Sequence, residues 1–332
     1  MRKSQAMIIS IILSAIFSYA LLYSTVELPH VLNNLLGEAI PHYGVGEIEE
    51  AESFVNSLRP LGYFCLTMII ILIILGFVFK KYKISFLGSF ILFLPTFSYF
   101  ASVMFFLAGV GILRIIWLPF LELFPGSSIY EKISMASSLL ELGDIVYFPY
   151  DALRFMLNNV FGGYLQSLDE TLFLTIIMVS SIIFFMSCTT WLYYKLQKSG
   201  FAKSLIYKYS RHPQYFSFLL WSYGLLVYDK YVFLPPRGGY FAPPPFFWTI
   251  FAFILIGIAL REELIMIEKH REEYEKYRSK TPFMMPVSNL IGKVLRLPVR
   301  FIFKKDYPDK AIEIILTLTI YFLMILLISL LY

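Results

Sequence analysis

The stretch FFWTIFAFILIGIALREELIMIEKHREEYEKYRSKTPFMMP, Phe246–Pro286, places an apolar run, a knot of charges and a second apolar run in direct succession. Phe246–Leu260 is a 15-residue apolar run. That is about 22 Å of helix at 1.5 Å per residue, short of the roughly 30 Å hydrocarbon core of a bilayer. Arg261-Glu262-Glu263 interrupts it and Leu264–Ile267 resumes it. The three charges are therefore expected at or just inside the membrane boundary, where ionisable groups face a cavity or a partner. Beyond them the helix is expected to run on to Lys280. Glu263, Ile267, His270, Tyr274 and Tyr277 recur at spacings of 4, 3, 4 and 3, which puts them on one face. Such a stripe reads equally as a pocket wall for a polar, ring-bearing ligand or as a partly wet packing seam. His270, between Lys269 and Arg271, reads as solvated. Pro282 and Pro286 bracket Phe283-Met284-Met285, an apolar hook turning back to the membrane.

Outward from this stretch, 58% of the 332 residues are hydrophobic and 15% are charged, against about 25% charged in soluble domains. Seven blocks approach spanning length: Ala6–Leu28, Leu61–Phe79, Ile84–Ala108, Thr171–Tyr194, Gln214–Leu234, Phe246–Leu260 and Ala311–Tyr332. So much apolar chain leaves too little polar chain to cover it, which excludes a soluble helical protein. The fold class expected is all-α, a polytopic transmembrane bundle of about seven spans with a C-terminal cap helix in the cytoplasm. Basic residues stay on the cytoplasmic side. With the N-terminus inside, 22 of the 28 Lys and Arg fall inside, and 14 of the 23 acidic residues fall outside. The net charge of +5 is thus a topology signal and implies no nucleic-acid partner. The inner basic collar is suited to anionic headgroups.

Residues 1–170 form an N-terminal transmembrane region of unknown role, with three spans, long outer loops and no chemical motif. Asp151–Leu165 is amphipathic, with Leu153, Leu157, Val160, Phe161 and Tyr164 near helical period. It suits the outer membrane surface or a fold over the bundle, and an ordinary interfacial packing helix is the plainer reading. The first span is too long for a secretory signal and lacks a small-residue cleavage site, so it is expected to stay as an anchor. Cys65 and Cys188 lie inside spans and read as small apolar residues. Four histidines without ligand spacing predict no metal site. Residues 291–332 make a basic interfacial segment and the final span. Few histidines and cysteines with many Ile and Lys point to a prokaryotic plasma membrane, or the endoplasmic reticulum if the source is eukaryotic.

Arg211-His212-Pro213-Gln214-Tyr215 stands at the cytoplasmic entry to the fifth span. Proline suits the first helical turn, because its missing N–H would be unpaired there anyway. His212 becomes the cap and Tyr215 a first-turn residue. The exposed N–H groups and the helix dipole favour an anion such as a carboxylate. A proline opening a helix after a basic loop is also commonplace, so this element alone is weak.

Arg211–Tyr215, followed by Trp221-Ser222-Tyr223-Gly224, then Glu262-Glu263, Glu273-Tyr274 with Tyr277, and Pro282 with Pro286 make a combination that is specific only jointly. It resembles the integral membrane methyltransferases typified by isoprenylcysteine carboxyl methyltransferase, with phosphatidylethanolamine methyltransferase as a more distant relative. The likeness covers roughly residues 171–290, the expected methyltransferase core. The chain departs from the family pattern at Ser217 and Leu205, where glycines are usual, and in a longer outer connection, Pro235–Pro245. The resemblance implies S-adenosylmethionine as cofactor, held by His212, Pro213, Tyr215, Glu262, Glu263, Tyr274 and Tyr277. It implies a lipid-like or prenylated acceptor arriving sideways from the bilayer. Arg211, Arg261 and Glu262 are the catalytic candidates, the arginines orienting an ionised acceptor through paired hydrogen bonds. In-line methyl transfer needs mainly positioning and exclusion of water.

Two other classes stay in view. Sterol and steroid reductases use a similar histidine-proline-x-tyrosine element to hold NADPH, although the paired glutamates directly after the span argue against them. A non-enzymatic membrane protein is the third, kept open by Ser217 and Leu205. A transporter would be expected to show inverted repeats with broken helices, and none is detectable.

Overall fold

The computed structural model describes residues 2–37, 48–93, 143–161, 167–232, 245–286 and 289–331, together with 116, 119, 122–127 and 131–132. The described chain is helical and contains no strand. Its helices are α1 Lys3–Gly37, α2 Ile48–Val78, α3 Tyr82–Phe93, α4 Phe148–Phe161, α5 Leu168–Gln197, α6 Pro213–Val227, α7 Pro245–Lys280, α8 Asn289–Leu295, α9 Leu297–Phe303 and α10 Ala311–Ser329. Among the described residues, four segments are long and apolar enough to cross a membrane: Lys3–Thr25, Asn56–Val78, Leu168–Gln197 and Ala311–Ser329. They correspond to four of the seven expected spans. Of the other three, the block Ile84–Ala108 begins in α3 and passes beyond the described residues after Phe93. Of the block Gln214–Leu234, the part up to Val232 is α6 extended by a π-helical turn, Tyr228–Val232, and Phe233 and Leu234 lie outside the described residues. Phe246–Leu260 is the first part of α7. The chain is an all-α integral membrane protein.

The burial pattern is that of helices in lipid. On α1, Ala6, Ser10 and Ser14, one turn apart, are fully buried, while Ile8, Ile12 and Ile16 are more than half exposed. On α5, Ser180 and Ser187 are buried while Leu174, Met178 and Ile182 face outward. Small residues inside and large aliphatic ones outside let helix backbones approach closely in lipid, where apolar surface gains nothing by hiding. Several of the buried hydroxyls donate to their own helix, as Ser10 Oγ does to Ala6 O at 2.7 Å and Ser180 Oγ to Ile177 O at 2.8 Å, whereas the Ser14 hydroxyl has no hydrogen-bond partner among the described residues.

The chain divides into two compact units. The first comprises Met1–Leu22, Thr175–Ser222 and Leu255–Leu323. Its apolar centre includes Leu260, Leu264 and Ile314, with Phe283 and Leu318 packed against them, and a Phe184–Phe218 edge contact at 5.1 Å.

The second comprises Tyr23–Leu174, Tyr223–Ile254 and Met324–Tyr332. In it α2 and α3 pack so closely that a Cβ on Gly76 would collide with the Ser85 backbone, and Ser85 Oγ donates to Ile73 O at 2.7 Å. The expected amphipathic helix is α4. It buries Tyr150, whose hydroxyl donates to Asp169 at 2.6 Å, and leaves Phe155, Met156 and Val160 exposed. Tyr164 and Leu165 lie outside the described residues.

Candidate functional site

Arg211 and His212 sit immediately before α6, which opens on Pro213. The first hydrogen bond of that helix runs from Phe216 N–H to His212 O at 3.0 Å. The N–H groups of Gln214 and Tyr215 therefore precede the intrahelical ladder. The hook after α7 closes onto this mouth: Arg211 N–H donates to Pro282 O at 3.0 Å and His212 N–H to Phe283 O at 3.2 Å.

Neither departure from the glycine pattern leaves a polar group unsatisfied. Ser217 is fully buried and its hydroxyl donates to Gln214 O at 2.6 Å. Leu205 takes a left-handed backbone, φ 51°, where glycine would be unstrained.

Glu263 is fully buried at the centre of a charged cluster. Arg211 donates to it in a forked pair, Nε to Oε1 at 2.5 Å and Nη2 to Oε2 at 3.3 Å. The remaining Nη1 donates to Arg278 O at 2.6 Å and Thr281 O at 2.8 Å. His212 Nε2 lies 3.2 Å from Oε1. Arg278 Nε lies 3.1 Å from Oε2, a close charge contact rather than an aligned hydrogen bond. Tyr307 lies against both arginines, its ring centre 4.8 Å from Arg211 and 4.4 Å from Arg278. Burial alone would raise the Glu263 pKa, but Arg211, His212 and Arg278 outweigh it and hold the carboxyl below its ordinary range.

The Glu263–Arg278 contact corrects the expectation of one straight helix to Lys280. Fifteen residues of straight helix would separate the two by about 22 Å, beyond the reach of both side chains together. α7 instead breaks at Arg271, with φ 40° and ψ −122°. This is close to the first central position of a type II′ turn, the province of glycine. Two helical arms meet there, so the 4-3-4-3 stripe lies on one continuous face only as far as His270. Replacing Arg271 by Gly is expected to raise thermal stability by about 1 kcal/mol through relief of this strain. In an unbroken helix the same change would lower stability by about 1 kcal/mol, so the sign of the shift in detergent-solubilised protein decides between the two.

Between the mouth of α6, the end of α5 and both arms of α7 lies a cavity of about 340 Å³. This is within the range of about 300–1,000 Å³ for small-molecule sites. Of the expected site residues, Arg211, His212, Tyr215, Glu262, Tyr274 and Tyr277 line it. Pro213, Arg261 and Glu263 do not. Tyr215 donates its hydroxyl to Glu262 Oε1 at 2.8 Å, and Tyr277 donates to Tyr207 O at 2.6 Å. Burial pushes the Tyr274 and Tyr277 phenols well above their ordinary range, so both keep their protons. The paired glutamates thus differ: Glu262 faces the cavity, whereas Glu263 is locked among cations beside it. Arg211 spends its donors on Glu263 and two carbonyls, and Arg261 is half-exposed off the wall.

Sequence reasoning missed several wall residues. Phe201 packs against His270, Tyr274 and Tyr277 at 5.1–5.3 Å between ring centres. Its signal was the Gly200-Phe201 pair just past α5, where Gly200 takes φ 78°. Trp191 carries Lys195 over its ring at 4.5 Å. His270, read as solvated, stands in the wall. Among the described residues no group of His, Cys, Asp and Glu could hold a metal ion.

No curated protein and no solved structure matches the chain. Residues 166–281 match the family model DUF1295, described as a protein of unknown function, and that family lies in the membrane superfamily of steroid 5-alpha reductases and isoprenylcysteine methyltransferase-like proteins.

Proposed function

We propose that the chain is an integral membrane methyltransferase that binds S-adenosylmethionine in the cavity of the first unit and methylates a lipid-like acceptor. The observation that carries this reading is the combination in one wall of a carboxylate, Glu262, with the rings of Trp191, Phe201, Tyr207, Tyr215, Tyr274 and Tyr277. A carboxylate and aromatic faces both attract a cation. When bound, S-adenosylmethionine supplies an electrophilic methyl carbon on positively charged sulfur.

The chain's residues do the rest. Glu262 holds the positive charge and Tyr215 fixes the orientation of Glu262. The early N–H groups of Gln214 and Tyr215 offer donors to a carboxylate. Arg211 acts as a positioning residue through Glu263. A lone pair on the acceptor forms the new bond to the methyl carbon as the carbon–sulfur bond breaks, and an ionised carboxylate acceptor needs no base. The charge asymmetry of the sequence supports a cytosolic orientation of this face, the side on which the cofactor would enter.

The competing reading, an NADPH-dependent reductase, draws on the reductase side of the same superfamily. It requires a much larger, polyanionic ligand next to Glu262. Thermal unfolding of purified protein with S-adenosylmethionine, S-adenosylhomocysteine or NADPH separates the two. Stabilisation by the sulfur nucleosides, about 2.7 kcal/mol at a hundredfold excess over Kd, is expected. Stabilisation by NADPH alone reverses the assignment.

A further inference from the structure

The first unit carries an exposed amphipathic surface outside the cavity, built from α8 and α9. On α8, Val294 and Leu295 are each about half exposed. On α9, Leu297 and Phe301, one turn apart, are 55% and 89% exposed, and Ile302 beside them is 46% exposed. A phenylalanine left almost wholly bare needs an occupant. The other faces are committed to the protein. Val299 is buried, Arg300 pairs with Asp306, and Arg296 Nη1 donates to the Tyr307 hydroxyl at 3.1 Å. The Tyr321 hydroxyl of α10 donates to Leu295 O. These bonds fix which way the apolar face points.

Two features of this segment identify the occupant. The chain from Lys305 to Ala311, where the membrane-length helix α10 begins, is six residues, which spans at most about 20 Å. The end of α9 is therefore tied close to a helix of membrane-spanning length. Its charge is also one-sided. Asn289–Lys310 contains six basic and two acidic residues, and Lys293, whose charge acts on Asp306, and Lys304 are both exposed.

We propose that α8 and α9 lie in the interface of the bilayer, bury Leu297 and Phe301 among the acyl chains, and bind the phosphate groups of anionic phospholipids through Lys293 and Lys304. An apolar face flanked by lysines at the level of the headgroups is the arrangement that binds anionic membrane surfaces. The proposal is independent of what the cavity binds.

The test uses the full chain in nanodiscs of phosphatidylcholine with an equal share of phosphatidylglycerol, one of the two lipids brominated on its acyl chains. Phe301→Trp adds an indole at an exposed position, and its emission is taken as the difference from the parent protein. Bromine on phosphatidylglycerol is expected to quench this indole more strongly than bromine on phosphatidylcholine. Lys293→Gln and Lys304→Gln should each reduce the phosphatidylglycerol preference about fivefold, and raised salt should weaken it. Equal quenching by the two lipids overturns the headgroup assignment. Absence of quenching overturns the docking itself and points to a protein partner on this face.

Discussion

Glu263→Gln is expected to destabilise the protein by about 3–5 kcal/mol, the usual cost of removing one partner from a buried ion cluster. Gln has the shape of Glu but no charge, and the Arg211 side chain is fully buried. Its Nη1 stays tied to Arg278 O and Thr281 O, so the cation remains buried without its counter-charge. Arg278 loses the same partner at 3.1 Å. Thermal or denaturant unfolding in detergent measures the effect, and a loss below about 1 kcal/mol would show that Glu263 is not the counter-ion of this cluster.

The pH dependence has a defined sign. The folded-state pKa of Glu263 lies below its unfolded value of about 4.3. Its stabilising contribution is therefore complete above that value and is lost as pH falls through the lowered one. Glu263→Gln should remove this acid-side loss while lowering stability at neutral pH.

Glu262→Gln is expected to do the opposite: little change in unfolding temperature and a loss of S-adenosylmethionine affinity of roughly 10- to 150-fold, the equivalent of one charge-assisted hydrogen bond. Glu262 is half-exposed on the cavity wall, and among the described residues only its Oε1 has a hydrogen bond, from Tyr215. Its removal leaves no buried charge behind. Tyr215→Phe keeps the carboxylate but frees its orientation, so a loss of a few-fold is expected. Isothermal titration of the three proteins gives the ranking. Affinity equal to wild type in Glu262→Gln would remove Glu262 from the cation-holding role.

Glu262 and Glu263 are adjacent and alike in the sequence, yet they face opposite fates. One residue of helix turns a side chain by about 100°, and at the rim of a cavity that rotation separates a ligand-facing group from a structural one. The family likeness paired them, and helical spacing put Glu263 rather than Glu262 on the stripe with His270, Tyr274 and Tyr277, whereas it is Glu262 that lines the cavity. The bend at Arg271 was equally hidden. Glu272, Glu273, Lys276 and the flanking residues are good helix formers on both sides, with no glycine or proline to announce a break. The break is compensated instead by contacts that the bend allows, Arg278 on Glu263 and Phe201 on Tyr274 and Tyr277.

What the amino-acid sequence determined by itself is the class of the molecule: helices, a membrane around them, and a proline-led helix opening after Arg211-His212. Each follows from the length of an apolar run or the order of a few neighbouring residues, quantities written along one dimension. The tertiary structure decided which of the charged residues meet, because Arg211, Glu263, Arg278 and Tyr307 are brought together across up to 96 positions of chain. Their pairing follows from a bend and a returning segment that place buried charges within ångströms of one another, where Coulomb attraction outweighs the cost of leaving water.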